Sequence, residues 1–179
     1  MRLDPKYFNL FIIICAAVTV VVIVYGTMSY HSKQEEILRE NINNTEFADF
    51  SFISISGNDT LMVSDLIGEP LLIDFWATWS GKSQGMHRTI SQLHQRYPNL
   101  KIIAAAVRDD QQMVMEYADA QDYGFMYVSG TDVYHQLQIP GVPSQIMIDR
   151  EGNFFDFQVG DNEGELERKV ELMMREQLP

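Results

Sequence analysis

The sequence predicts an α/β fold, a mixed central sheet flanked by helices with an N-terminal β-hairpin, preceded by one transmembrane helix. Three observations predict it. An uncharged apolar run spans residues 8–25, short continuous apolar runs at Leu71–Trp76 and Ile102–Val107 enclose a helical stripe, and alternating segments stand at either end of the remaining chain. Strands covered on both faces read as unbroken apolar runs, whereas half-exposed strands alternate. Strands joined through helices and closed by an antiparallel hairpin give a mixed sheet with helices on its faces.

The first element is FNLFIIICAAVTVVVIVY, Phe8 to Tyr25. At ~1.5 Å rise per residue it matches a hydrocarbon layer of ~30 Å. A cleaved leader has a shorter apolar core, about 7 to 15 residues, and a small-x-small exit; Gly26-Thr27-Met28-Ser29 is a poor exit of that kind. A retained signal anchor is therefore expected. Arg2 and Lys6 precede the run, so the positive-inside rule keeps residues 1–7 cytoplasmic and carries the rest across, with Tyr7, Tyr25 and Tyr30 suited to the interfacial belts. Cys15 is the sole cysteine, and Ile14 before it is too large for lipoprotein processing, so it reads as apolar filler. Residues 26–46, ending in HSKQEEILRENINNTE, read as a polar, partly helical linker, and residues 47–179 as one domain.

Within that domain, Phe50, Phe52 and one of Ile53 or Ile55 alternate with serines up to Gly57-Asn58, and Leu61 and Val63 resume the pattern: a hairpin. Met86, Ile90, Leu93 and Tyr97 form one helical stripe that Pro98-Asn99 ends. Gln111–Gln121 reads as a second helix on Met113 and Tyr117, with Val114 a further candidate, and Val133–Leu137 as one extra turn. Gln145–Ile148 and Phe154–Val159 form the last hairpin through Asp149-Arg150-Glu151-Gly152, and Leu166, Val170 and Met173 mark a closing helix.

Composition narrows the function. The net charge is -12 over 179 residues, and Lys33, Arg39, Arg88, Arg96, Lys101 and Arg150 are scattered among carboxylates. Such a surface repels phosphate backbones, so nucleic acid is not an expected partner. With no cysteine beyond residue 15, the folded part can hold no internal disulfide. His87 and His94 lack carboxylate or cysteine company in the sequence and read as solvated surface, so no metal is expected. Met113, Met115, Met126, Met147, Met173 and Met174 read as core filler. Gly81-Lys82-Ser83 is no phosphate loop, because the glycine needed five residues earlier is Trp76.

Four segments, in order and at the right spacings, resemble the membrane-anchored TlpA/ResA-like branch of the thioredoxin superfamily, within the redoxin group. They are ADFSFISISGNDTLMVSDLIGEPLLIDFWATW, the turn Ser80-Gly81-Lys82-Ser83, Gly141-Val142-Pro143-Ser144, and QIMIDREGNFFDFQVG. The resemblance runs from about Phe47 to Leu178 and implies a thioredoxin fold. Three departures stand out: serine at both positions of the redox Cys-x-x-Cys motif, Lys82 where proline is usual, and Arg88 where a helix-kinking proline usually lies. Serine can neither form an S–S bond nor ionise usefully near neutrality, so the family's dithiol exchange is unavailable.

The resemblance makes Asp74 the buried acid beneath the motif, Trp76 a core residue, Trp79 an exposed aromatic beside it, and Val142-Pro143 the cis-proline loop that faces an extended peptide. The residues themselves also have bland readings. Ser80 and Ser83 fit helix capping; a serine nucleophile would need a base and an oxyanion hole that the sequence does not identify. An ionised carboxylate is costly to bury alone, so Asp74 is expected protonated or hydrogen-bonded. Trp79 is either a partner contact or a structural part.

No catalytic residue and no cofactor are expected. Trp79, Ser80, Gly81, Lys82, Ser83, Val142 and Pro143 are the partner-binding candidates. The leading expectation is a redox-inactive binding or assembly module, single-pass in a bacterial inner (cytoplasmic) membrane. Its C-terminal domain would lie in the periplasm or extracytoplasmic space, with a protein or peptide partner there. The alternative is a thiol-disulfide oxidoreductase, for disulfide reduction or cytochrome c maturation, whose cysteines are replaced by Ser80 and Ser83 naturally or by engineering.

Overall fold

The computed structural model describes residues 5–57 and 59–176. Arg2, Asn58 and Leu178 lie outside them, as do the side chains of Lys6 and Tyr7. The chain divides into two compact units, Met1–Ile37 and Leu38–Pro179.

Helix α1 runs over Pro5–Asn43, with its proline at the first position, where no N–H is needed. From Phe8 to Tyr30 every residue is exposed to its surroundings. The helix is long and apolar enough to cross a membrane. Three of its hydroxyls turn back onto the helix: Thr19, Thr27 and Ser32 each donate to the carbonyl four residues earlier. The stretch read as a partly helical linker continues α1, and its end belongs to the second unit. Leu38 and Ile42, one turn apart, are buried in a core cluster with Phe47, Phe50 and Leu137, and Asn41 Nδ2 donates to Leu137 O at 3.0 Å.

The second unit carries strands β1 (Ser51–Ser54), β2 (Thr60–Met62), β3 (Leu71–Trp76), β4 (Lys101–Ala106), β5 (Met126–Ser129), β6 (Ser144–Ile148) and β7 (Phe154–Val159). Between and after them come helices α2 (Gly81–Arg96), α3 (Gln111–Gln121), α4 (Thr131–Gln136) and α5 (Glu163–Glu176). The sheet order is β2-β1-β5-β4-β3-β6-β7. β3, β4 and β5 are parallel neighbours, while β1, β2, β6 and β7 pair antiparallel. β5 has no counterpart in the sequence reading. Its four residues are too few to show a period, yet it joins the hairpin to the parallel strands, with Ile53 opposite Ser129 and Ala106 opposite Ser129.

β3 is buried along its whole length, and its alternation divides the core. Leu71, Ile73 and Phe75 join the cluster holding the end of α1 and Val133 of α4. Leu72 and Trp76 join the other, with Met86, Ile90 and Leu93 of α2, Val114 of α3, and Leu166, Val170 and Met173 of α5. Asp74 points to this second face, between Leu72 and Trp76. The methionines split: Met147, Met173 and Met174 are core, whereas Met113 and Met115 are exposed on the outer side of α3, because one buried stripe centred on Val114 suffices for a peripheral helix. Glycine is required at position 130, where a Cβ would stand 2.6 Å from the Ala105 Cβ.

Candidate functional site

Five connections converge at one end of the sheet, the end where β3, β4, β5 and β7 finish and β6 begins. Backbone bonds tie them: Val107 N–H donates to Trp76 O and Gly160 N–H to Pro143 O, both at 2.9 Å. Clefts outside the carboxyl ends of parallel strands are where open α/β sheets place ligands.

The turn after β3 is fixed from two sides. Thr78 donates its backbone N–H and its hydroxyl to the Asp109 carboxylate in the β4–α3 connection, and Gln84 Nε2 donates to Thr78 O at 2.7 Å. Trp79 therefore projects from a braced turn, 65% exposed. Ser80 is the N-cap of α2, its Oγ accepting from Ser83 N–H at 3.3 Å, which answers one of the free donors at a helix start. Gly81 and Lys82 are exposed.

Ser83 departs from the capping expectation. It is fully buried, and its Oγ has no hydrogen-bond partner among the described residues. The Val142–Pro143 peptide is cis; Val142 is half-buried and Pro143 buried.

Lys82 Nζ reaches Asp161 Oδ1 in the β7–α5 connection at 3.0 Å. The ammonium donating to Asp161 holds its carboxyl below the usual carboxylate range. A depressed folded value stabilises the fold above the unfolded value, and that gain is lost as pH falls through the folded one. Both side chains are open to solvent, so the effect on stability is small. Lys82→Ala is expected to move the Asp161 titration upward, read by carboxyl NMR, with stability almost unchanged.

Beneath the turn lies a buried polar cluster. Asp74 Oδ1 accepts from Gln145 Nε2 at 2.7 Å, which meets the expectation of a hydrogen-bonded acid. Its Oδ2 stands 2.9 Å from His87 Nε2, an ion-pair distance lying off the line of a straight hydrogen bond. His87 Nδ1 meets the Tyr117 hydroxyl at 3.1 Å. Burial pushes the Tyr117 and Tyr127 hydroxyls up from their ordinary values.

His87 is thus not surface, as its sequence neighbours suggested. It is 0% exposed, as is Asp74. Its ring lies 4.3 Å from that of Trp76, 5.5 Å from Tyr117 and 5.4 Å from Phe125. An acid inside an apolar strand needs a polar partner, and that need was the available signal for His87. His94, half-buried, bonds Leu100 O through Nδ1 at 2.9 Å.

Both nitrogens of His87 face partners, Asp74 and Tyr117, and Ser83 Oγ is sealed from solvent. Among the described residues no group of three His, Cys, Asp or Glu side chains could hold a metal. Asp109, Gln145 and Tyr117 were not found from the sequence, because their roles depend on contacts across connections.

The sequence matches the family described as thioredoxin-like over residues 68–154, a stretch running from the entry to β3 through β6 into β7. The chain resembles that family over this stretch. It is similar to the thioredoxin-like protein YneN of Bacillus subtilis, 24% identical over 148 residues, covering 79% of this chain and 85% of that one. Among solved structures it is similar to a secreted Mycobacterium tuberculosis disulfide oxidoreductase homologous to E. coli DsbE, at 19% identity and TM-score 0.61, covering 71% of this chain and 98% of that one. It also resembles a thiol:disulfide interchange protein of the thioredoxin family from Chlorobium tepidum, at 20% identity and TM-score 0.61, covering 73% and 96%. The two structural likenesses speak for the fold alone.

Proposed function

We propose that this chain is a membrane-tethered, extracytoplasmic thioredoxin-like domain that has no redox dithiol and works as a binding or assembly module. The observation that carries the reading is the state of the two serines. Ser80 is engaged in capping α2 and Ser83 is buried, so neither is placed for chemistry, while the braced turn still offers Trp79 to solvent. An exposed tryptophan on a rigid support loses little entropy on binding and is a common anchor at interfaces. The partner is an extended protein or peptide segment lying between Trp79 and Val142. Helix α1 holds the domain to a bacterial inner membrane as a retained single-pass anchor, the domain lying in the periplasm or extracytoplasmic space.

The test is selection of displayed random octapeptides on the full chain in nanodiscs. Retained peptides should lose about tenfold or more in affinity on Trp79→Ala, the scale of an aromatic anchor. Peptides retained equally by both proteins would oppose the reading.

A second reading, a thiol-disulfide oxidoreductase with its cysteines replaced, is favoured by one observation. A fully buried Asp74 persists beneath a motif with no thiol to serve. The Ser80→Cys/Ser83→Cys double variant separates the two: an active dithiol supports the second, and a folded but inactive variant supports the binding module.

A further inference from the structure

The β4–α3 connection carries a cation that no carboxylate among the described residues pairs with. Arg108 is exposed and sits at φ 49°, left-handed backbone that a residue with a Cβ rarely adopts. The loop is held there by Arg108 N–H donating to Thr131 Oγ1 at 2.9 Å. Its guanidinium lies 5.9 Å above the Tyr134 ring, with Nη2 3.4 Å from His135 Nε2. The adjoining carboxylates are turned inward: Asp109 grips Thr78, and Asp110 caps α3 through the N–H groups of Gln112 and Met113. Among the described residues Arg108 makes no ion pair with any carboxylate.

This cation belongs to the same end of the sheet as the proposed groove. Asp109, its chain neighbour, braces the turn that presents Trp79. Tyr134, beneath it, packs against the same core cluster as Val142. A guanidinium with its orientation set by an aromatic face and its donors still open is suited to a planar carboxylate.

Resting on the binding-module reading, we propose that Arg108 selects the partner: the segment docking between Trp79 and Val142 carries an Asp or Glu side chain that pairs with the Arg108 guanidinium. A peptide is favoured over an anionic membrane, since a chain of net charge -12 is repelled by an extended negative surface but accepts a single carboxylate at one local cation.

The experiment is peptide selection on the full chain in nanodiscs, wild type against Arg108→Gln, Arg108→Lys and Arg108→Glu, with Trp79→Ala alongside. Expected is an acidic residue enriched at one fixed position on the wild type. The preference should weaken about three- to fivefold in Arg108→Gln, the scale of an exposed ion pair. It should persist in Arg108→Lys and turn toward Lys or Arg in Arg108→Glu. Peptides that need Trp79 but show no acidic preference, or the same preference in Arg108→Gln, would overturn the inference and leave the binding reading standing. No Trp79-dependent peptide at all would overturn both. Sedimentation with phosphatidylglycerol vesicles that is lost in Arg108→Gln would also overturn it, in favour of a lipid headgroup.

Discussion

Replacing Asp74 by leucine is expected to lower the unfolding free energy by about 2–6 kcal/mol, since it strands two buried polar groups at ~1–3 kcal/mol each. Those groups are Gln145 Nε2, which bonds Oδ1, and His87 Nε2, which faces Oδ2. Urea unfolding of the full chain in nonionic micelles, followed by tryptophan fluorescence, measures the loss. His87→Leu alone strands Asp74 Oδ2 and the Tyr117 hydroxyl and should cost a similar amount. The double variant should cost less than the sum of the two, because a polar pair replaced together leaves no orphan between its members. Strict additivity would mean that Asp74 and His87 do not interact.

Ile42→Ala is expected to destabilise the domain by about 2–5 kcal/mol, the range for truncating a sealed aliphatic side chain. Ile42 is 1% exposed and lies in the cluster shared with Phe47, Phe50 and Leu137. Leu38→Ala should behave alike, being equally buried. Ile37→Ala, on an exposed residue of the same helix, should stay within about 0.5 kcal/mol. Equal, small effects at all three positions would return the segment to a passive spacer.

The legible parts of the fold were those with a strong local pattern. β3 and β4 are apolar but for Asp74 and Lys101, and α2 carries Met86, Ile90 and Leu93 on one stripe. β5 was not legible, since four residues cannot display a period and its place is set by β1 and β4 on either side. The end of α1 misled for a different reason: Leu38 and Ile42 stand among charged residues, and only the core they enter gives them meaning. At the site, Ser80 follows from its place at a helix start, whereas Asp74 and Trp79 were legible only through the family resemblance. His87, Asp109 and Arg108 were legible from neither, because each acts across a gap in sequence that only the sheet closes. Ser83 shows the limit of a local rule. Its type suits a helix start, yet Ser80 takes the cap and Ser83 turns inward.

Turnover of a disulfide substrate by the full, unsubstituted chain tests the central claim most directly, with insulin reduction by dithiothreitol as the assay. A rate equal to the buffer background is the predicted result, because the sole cysteine, Cys15, lies in the apolar part of α1 and oxygen stands at positions 80 and 83. Insulin reduced faster than that background in proportion to added protein would contradict it.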